Sequence, residues 1–259
     1  MGFSTHLSVM EYDVWFFALA VPSVLIAGIS KGGFGSGAAF VATPILALKL
    51  EPALAIGLML PLLMLVDTWT LRPYWGKWDI PNAGVLIAGG FFGVILAVLF
   101  YQRADADLLR VLIGLISIAF VAYQLARATG ILAIKPRPFS RGFGLFAGVV
   151  AGFTSFISHA GGPPAAMFLL SQKISKTTYQ ATTVLAFWLI NIFKAVPYAI
   201  LGIFTFEALW AAAMLAPVAV LGAAIGVYAH HRVPETVFFT ITYTLLLGAG
   251  GKLLLDGLT

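Results

Sequence analysis

The chain has 259 residues, of which 61% are hydrophobic, only 10% are charged and none is cysteine. Soluble domains carry roughly 25% charged residues, so this composition excludes a water-soluble fold and predicts a surface that mostly faces a lipid bilayer. The lack of cysteine excludes disulfides, thiolate metal sites and thiol catalysis. The net charge of +5 lies in loops between apolar segments, so we expect it to set membrane orientation and not to bind nucleic acid.

Apolar runs follow one another along the whole chain, and the full-length ones are long enough to cross a bilayer as helices. The runs of the first half are 14–29, 38–48, 53–71, 82–101 and 108–127. Those of the second half are 142–157, 164–171, 178–200, 206–229 and 235–255. In each half the first run is interrupted, by GISKGGFGSG at 28–37 or by SHAGGPP at 158–164, and three full-length runs follow.

This shared order predicts an internal duplication. At an offset of 124 residues Gly28 falls on Gly152, Gly37 on Gly161, Pro73 on Pro197 and Tyr74 on Tyr198. We therefore predict a single membrane transport domain over 1–259. Its first repeat covers 1–130, a cytoplasmic connector covers 131–140, and its second repeat covers 141–259.

Loop cations predict the orientation of the chain, because cytoplasmic loops are enriched in Lys and Arg. If each interrupted run returns as a hairpin, each half makes three net crossings and nine cations share one face against three on the other. The nine are Arg72, Lys77, Arg127, Lys135, Arg137, Arg141, Lys173, Lys176 and Arg232, and the three are Lys49, Arg103 and Lys252. If each interrupted run crosses once, the division is only seven against five. The hairpin arrangement is favoured, and it predicts an all-α fold of two inverted repeats with both termini outside.

The two interruptions predict an anion site. Irregular backbone at membrane depth is tolerated only inside protein or beside water, so both segments should line a cavity. Helix starts near Gly37 and Pro163 would offer N–H donors and partial positive charge. Lys31 adds a full charge, and neither segment contains an acid. The predicted substrate-binding residues are Lys31, Gly32, Gly33, Gly35, Ser36, Gly37, Ser158, His159, Gly161 and Gly162.

Several of these residues also have simpler interpretations. The glycines could serve close helix packing, Lys31 could reach the membrane interface, and His159 could be a buried histidine with satisfied hydrogen bonds. Ionisable groups inside apolar runs are costly unless they are paired. Asp67 could pair locally with Arg72. Alternatively, a set of four residues could couple transport to an ion: His159, Asp67, Asn191 and Lys194.

Two segments carry a resemblance to a known family. GISKGGFGSGAAFVATPILAL resembles the first signature of the sulfite exporter TauE/SafE family, also called the sulfonate uptake permease family. GFTSFISHAGGPPAAMFLL, followed by NIFKAVPYAILG, resembles the second. The signature positions in this chain are Lys31, Gly32, Gly33, Gly35, Gly37, Pro44, His159, Gly161, Gly162, Pro163 and Pro164. The resemblance implies a bacterial inner-membrane permease for anions such as sulfite or organosulfonates.

The leading hypothesis is therefore a secondary transporter of small sulfur-containing anions, with no cofactor and no enzymatic activity. Its expected partners are a small anionic substrate, the lipid bilayer and, as a further possibility, a second copy of the chain. One alternative is a channel or carrier for another ligand, such as a carboxylate or a metal cation. The other is an intramembrane hydrolase in which Ser155 and His159, four residues apart, would meet on one helix face.

Overall fold

The structure is a computed structural model that describes residues 13–34, 39–132, 135–230 and 235–259, the side chains of 235–239 excepted. The predicted Gly35, Ser36 and Gly37, and also Arg232, lie outside the described residues. The helices of the first half are α1 (Val14–Ile29), α2 (Ala42–Ala47), α3 (Pro52–Tyr74), α4 (Ile80–Tyr101) and α5 (Ala106–Ala128). Those of the second half are α6 (Arg141–Ser158), α7 (Gly162–Leu170), α8 (Lys176–Ile200), α9 (Phe206–Ala229) and α10 (Glu235–Leu258).

Seven helices of the described chain are long and apolar enough to cross a membrane. They are α3, α4, α5, α6, α8, α9 and the segment Val14–Phe34, in which a π-helical turn, Ser30–Phe34, extends α1. Throughout the described residues the regular structure is helical. The predicted all-α, multi-pass membrane class is thereby confirmed.

Side-chain caps explain where most of the long helices begin. The first backbone N–H groups of a helix lack partners inside the helix, and a preceding Asp, Ser or Thr accepts a hydrogen bond from one of them. The capping residues are Asp13, Asp79, Asp105, Ser140, Ser175 and Thr205, before α1, α4, α5, α6, α8 and α9. The sequence therefore specifies these starts locally.

Glycine pairs spaced four residues apart hold the bundle together at two interfaces. The four pairs are Gly28 and Gly32 against Gly222 and Gly226, and Gly89 and Gly93 against Gly148 and Gly152. A Cβ added at Gly28 would lie 2.6 Å from the carbonyl oxygen of Ala219, and one at Gly148 would lie 2.6 Å from that of Leu86. Both distances are shorter than contact allows, so glycine is needed for the helix backbones to touch.

These two interfaces occupy corresponding places in the halves. At the offset of 124 residues α1 corresponds to α6, α3 to α8, α4 to α9 and α5 to α10. Helix α1 packs on α9 while α6 packs on α4, and α3 packs on α9 while α8 packs on α4. The remaining large contacts, α3 with α8 and α5 with α10, join a helix to its own counterpart. The pattern of these large contacts is therefore unchanged when the halves are exchanged, and the inverted orientation of the halves stays a prediction.

Each short helix returns toward the end at which the preceding long helix began. Asp13, before α1, forms an ion pair of 2.6 Å with Lys49, after α2. In the second half, the backbone N–H of Arg137, before α6, donates to the carbonyl of Ser171, after α7, over 2.9 Å. Both halves thus contain a long helix followed by a short one that folds back on it.

Candidate functional site

Part of the first interruption is helical. The glycine-rich sequence predicts a loop from residue 28, whereas the helix continues through Phe34 as the π-helical turn Ser30–Phe34. Turns of this kind leave carbonyl groups poorly paired inside the helix, and they occur often at functional sites. Lys31, Gly32 and Gly33 all lie in this turn and are buried.

Three successive carbonyl oxygens of the π-helical turn accept hydrogen bonds from side chains of three other helices. Lys31 accepts from Gln180 Nε2 of α8 at 2.5 Å, and Gly32 accepts from the Tyr74 hydroxyl of α3 at 2.7 Å. Gly33 accepts from Nδ1 of His230, at the end of α9, at 2.5 Å. Because buried carbonyls need partners, these side chains set the position of the backbone that carries Lys31.

Lys31 is a buried cation with a buried counter-ion. Its side chain is 5% exposed, and its ammonium group pairs with Oδ1 of Asp67, which is 1% exposed. The other carboxylate oxygen, Oδ2, accepts from Asn191 Nδ2 at 2.7 Å. Lys31 therefore points into the bundle and not to the membrane interface, and Asp67 pairs with Lys31 and not with Arg72. We call these three residues the Lys31 cluster.

A second buried cation, Lys194, has neutral partners. Its ammonium lies 3.0 Å from the carbonyl and 2.9 Å from the hydroxyl of Ser155, and 2.8 Å from Nδ1 of His159. The other ring nitrogen of His159, Nε2, lies 3.0 Å from the carbonyl oxygen of Ile56. A carbonyl can only accept, so Nε2 carries the proton and Nδ1 accepts from Lys194. Lys194, Ser155 and His159 form the Lys194 cluster.

The two clusters meet on α8, where Asn191 and Lys194 lie one turn apart. Five residues named from the sequence are thus brought together: Lys31, Asp67, Asn191, Lys194 and His159. The two clusters hold two lysines against one carboxylate. Their net charge is positive when both lysines are protonated and His159 is neutral, and the surrounding low dielectric strengthens its attraction for an anion.

Three of the predicted glycines, Gly32, Gly33 and Gly161, are explained by packing. Added Cβ atoms at Gly32 and Gly33 would collide with the backbone of α9, at Ala223 and Gly226. A Cβ at Gly161 would lie 2.6 Å from both the Ala151 carbonyl oxygen and a ring carbon of Phe187. The packing interpretation therefore accounts for these three residues without a ligand.

The start of α7 offers few backbone donors. Gly162 is its first residue, and Pro163 and Pro164 follow it without N–H groups. The nearby Ser158 hydroxyl donates to the carbonyl of Thr154 at 3.2 Å. In the first half the short helix α2 has only six residues, so its start contributes little partial positive charge. Most of the positive charge at this site therefore comes from the lysine side chains and not from helix starts.

A cavity of about 700 Å³ lies where the ends of α5, α7, α8 and α9 meet α10. Its walls carry the basic residues Arg127, Lys176 and His230, and its described lining residues include no acid. Gln180 lines this cavity and also a small void beside Lys31 and Asp67. The side chain of Gln180 therefore stands between the cavity and the Lys31 cluster.

Sequence reasoning missed Gln180, His230 and the roles of the two tyrosines. Tyr74 and Tyr198 align at the offset of 124, and each donates to a backbone carbonyl, Tyr74 to Gly32 and Tyr198 to Phe156 at 2.6 Å. The alignment was the available signal for this pair. Gln180 and His230 act across helices that are far apart in sequence, and no local pattern indicates them.

The hydrolase alternative would need His159 to act as the base for the Ser155 hydroxyl. These two side chains lie one helical turn apart, and each contacts Lys194 Nζ. Nδ1 of His159, the ring nitrogen without a proton, accepts from Lys194 and is therefore engaged by Lys194 and not by the Ser155 hydroxyl. Within the described residues, no group of three or more His, Cys, Asp or Glu side chains is placed to hold a metal ion.

One comparison with known proteins gives a match. The family model described as sulfite exporter TauE/SafE matches residues 20–253, which include both clusters and all residues named above as lining the cavity. No match was found among curated proteins or among solved structures.

Proposed function

Because this chain belongs to the sulfite exporter TauE/SafE family, we propose that it is a secondary transporter for small sulfur-containing anions such as sulfite or organosulfonates. Membership by itself makes the chain a multi-pass membrane transporter of the sulfite exporter type. The choice of substrate within that class and the residues that bind it are the proposal.

The observation that carries the proposal is the buried positive charge. Lys31 and Lys194 are 5% and 0% exposed, and Asp67 is the one acid with which either of them forms an ion pair within the described residues. Burying cations is costly, so a membrane protein keeps them inside the bundle where they have a task or a partner. A transported anion would be such a partner for Lys31.

The cation-lined cavity supports a path for the anion. Arg127, Lys176 and His230 would attract anions to its mouth, and Gln180 separates it from Lys31. The helix ends around the cavity belong to loops that the cation count places in the cytoplasm. We propose that the cavity is the cytoplasmic approach to the Lys31 cluster.

The relation between the halves supports an alternating-access mechanism. Two inverted repeats that rock about a site at their interface are a recurring plan of secondary transporters. Here α3 and α8, which carry Asp67 and Asn191, are counterparts and contact each other. We propose that α1–α2 and α6–α7 are re-entrant pairs, and that the protein lies in a bacterial inner membrane with both termini outside.

Uptake into proteoliposomes tests the transport activity. The purified chain is reconstituted, and influx of labelled sulfite, isethionate, sulfoacetate and a carboxylate control, acetate, is compared with protein-free vesicles. We expect protein-dependent flux of at least one sulfur-containing anion and a rise in its KM when Lys31 is replaced by alanine. The lack of flux for every sulfur anion by folded protein would refute the substrate class. Unchanged kinetics in Lys31→Ala would refute the site.

Cysteine labelling tests the topology, because the chain has no native cysteine. Single cysteines replace Gln102, Thr129 and Lys173, all of which are exposed. The hairpin arrangement predicts that positions 129 and 173 react from the cytoplasmic side and position 102 from the other side. If position 173 reacts from the side of position 102, the α6–α7 pair crosses the membrane and the inverted repeat is wrong.

A further inference from the structure

Neither cluster has room for an anion in the described conformation, because the void beside Lys31 and Asp67 is too small to hold a water molecule. Lys194 has three N–H groups and three acceptors within 3.0 Å, so its hydrogen-bonding capacity is complete. The ammonium of Lys31 is held by Asp67 and lies 5.9 Å from the centre of the Phe187 ring. An anion that binds Lys31 needs space that this conformation does not provide, and it gains both the space and the charge of Lys31 by taking the place of the Asp67 carboxylate.

We propose that Asp67 is the proton-coupling residue of this transporter: the substrate anion displaces its carboxylate from Lys31, and the released carboxylate takes up a proton. This inference rests on the proposed transport of anions. For a monovalent anion it predicts transport of one proton with each anion, in the same direction and without net charge.

The physical reason is the cost of an unpaired buried charge. Lys31 and Asp67 together are neutral, and so are Lys31 and a monovalent anion. Once displaced, Asp67 would keep only the neutral amide of Asn191 as its partner while 1% exposed. A buried carboxylate without a counter-ion is strongly unfavourable, and protonation removes the charge.

Displacement by the anion exchanges one ion pair for another and adds one proton to Asp67. The Asp67 carboxylate loses its ion pair with the Lys31 ammonium and gains a proton from the aqueous side, becoming a carboxylic acid. Lys31 keeps its own proton throughout and pairs with the anion. Release of the anion on the other side lets Lys31 draw the carboxylate back, and the proton leaves on that side.

The surroundings of Asp67 favour it over His159 as the proton carrier. Nε2 of His159 already bears a proton bonded to the Ile56 carbonyl, and Nδ1 accepts from Lys194. A second proton would break the Lys194 contact and place two cations side by side. The positive charges that act on Asp67 are those of Lys31, in the π-helical turn, and of Lys194, on α8. Of the other helices packed on α3, α1 and α2 contain no charged residue, and those of α5 and α9 lie near helix ends: Asp107, Arg110, Arg127 and Glu207.

Simultaneous flux measurements on the wild-type chain test the coupling without any variant. Isethionate keeps a charge of −1 at every working pH, so its own protonation does not contribute. Vesicles contain a pH-sensitive dye, and valinomycin with equal potassium on both sides holds the membrane potential at zero. We expect one proton to enter per isethionate and an imposed pH difference of one unit to drive about ten-fold accumulation.

Asp67→Asn then assigns the coupling to a residue. Asparagine resembles the protonated acid, so this variant should still exchange isethionate across the membrane while its accumulation ratio under the pH gradient falls from about ten-fold to about one. Asp256→Asn is the matched control, because Asp256 is an exposed partner of Lys252 on α10, and it should retain full accumulation.

The outcomes separate the coupling from the transport activity. Wild-type flux of isethionate without proton movement would refute the coupling while leaving the transporter intact. Undiminished gradient-driven accumulation in Asp67→Asn would refute Asp67 as the carrier. If sulfite, isethionate and sulfoacetate all fail to enter wild-type vesicles, the proposed function fails, and this inference fails with it. If Asp67→Asn does not fold, the wild-type proton-to-anion ratio still decides the coupling.

Discussion

Tyr74 and Tyr198 make the same hydrogen bond in the two halves of the chain, but the residues beside those bonds differ in charge. Each hydroxyl donates to a carbonyl of a helix that lines the centre of the bundle, at Gly32 in the first half and at Phe156 in the second. All four positions are related by the offset of 124. One residue earlier, however, the first half has Lys31 and the second has Ser155.

The two halves therefore share a scaffold and differ in electrostatics. Asp67 in the first half corresponds to Asn191 in the second, so the first half holds an ion pair and the second has neutral residues at both positions. The second cation, Lys194, occupies another position, one turn after Asn191, and its acceptors are neutral. The two halves thus combine equivalent packing with unequal charge.

The largest expected effect comes from removing one member of the ion pair. Lys31→Met leaves Asp67 buried without its counter-ion and should lower the free energy of unfolding by about 3–5 kcal/mol. Lys194→Met leaves neutral acceptors and should cost less, about 1–3 kcal/mol. Thermal melting in detergent compares the two, with the exposed Lys252→Met as control. Equal losses would show that the two lysines have equivalent surroundings, and the electrostatic difference between the halves would be wrong.

Glycine substitutions test whether the two close helix interfaces are equivalent. A Cβ at Gly93 would lie 2.8 Å from the Phe153 nitrogen, and one at Gly226 would lie 3.0 Å from the Gly33 nitrogen. Either glycine-to-alanine change should destabilise the protein by about 1–3 kcal/mol. Gly84→Ala, on the same helix as Gly93 but with open space around it, should be neutral or gain up to about 1 kcal/mol. If the unfolding free energy falls for only one of the two alanine variants, the two glycine interfaces are not equivalent.

Substituting the two tyrosines tests whether their hydrogen bonds stabilise the two halves equally. Tyr74→Phe and Tyr198→Phe each leave one buried carbonyl without its side-chain donor, so each should cost about 1 kcal/mol in unfolding free energy. The control is Tyr101→Phe, whose ring keeps its edge contact with Phe156. If one tyrosine variant loses stability and the other loses none, the tyrosine hydrogen bond does not contribute equally to the free energy of unfolding in the two halves.

The smallest effect is expected at the outer ends of the helix pairs. The hydrogen bond from Lys49, helped by the Phe16 N–H, lowers the pKa of Asp13. A lowered pKa means that the contribution to stability is present above the unfolded pKa and is lost as pH falls through the folded one. The melting temperature of the wild type should therefore fall slightly more in acid than that of Asp13→Asn. At the corresponding place the second half has a backbone hydrogen bond, from Arg137 to Ser171, which does not titrate. An identical pH dependence of the melting temperature in the wild type and in Asp13→Asn would show that the Asp13 ion pair contributes nothing to stability.

Much of the fold could be predicted because hydropathy and capping are local properties. The predicted run 206–229 coincides with α9, and 53–71 lies within α3 (Pro52–Tyr74). The site could be predicted only in part. Lys31, Asp67 and Lys194 were identified because ionisable residues inside apolar runs are rare. The suggested Asp67–Arg72 pair was wrong because proximity along one helix does not decide which side chain a neighbouring helix presents.

The sequence by itself determined the membrane class, the order of helices and the presence of ionisable residues in or beside apolar runs, because each depends on the composition of a short window. Only the tertiary structure decided which charges meet. Lys31 and Asp67 are 36 residues apart, and Gln180 reaches the Lys31 carbonyl from 149 residues away. Such partnerships depend on how the helices pack against one another, and that packing is set where glycine pairs let their backbones touch.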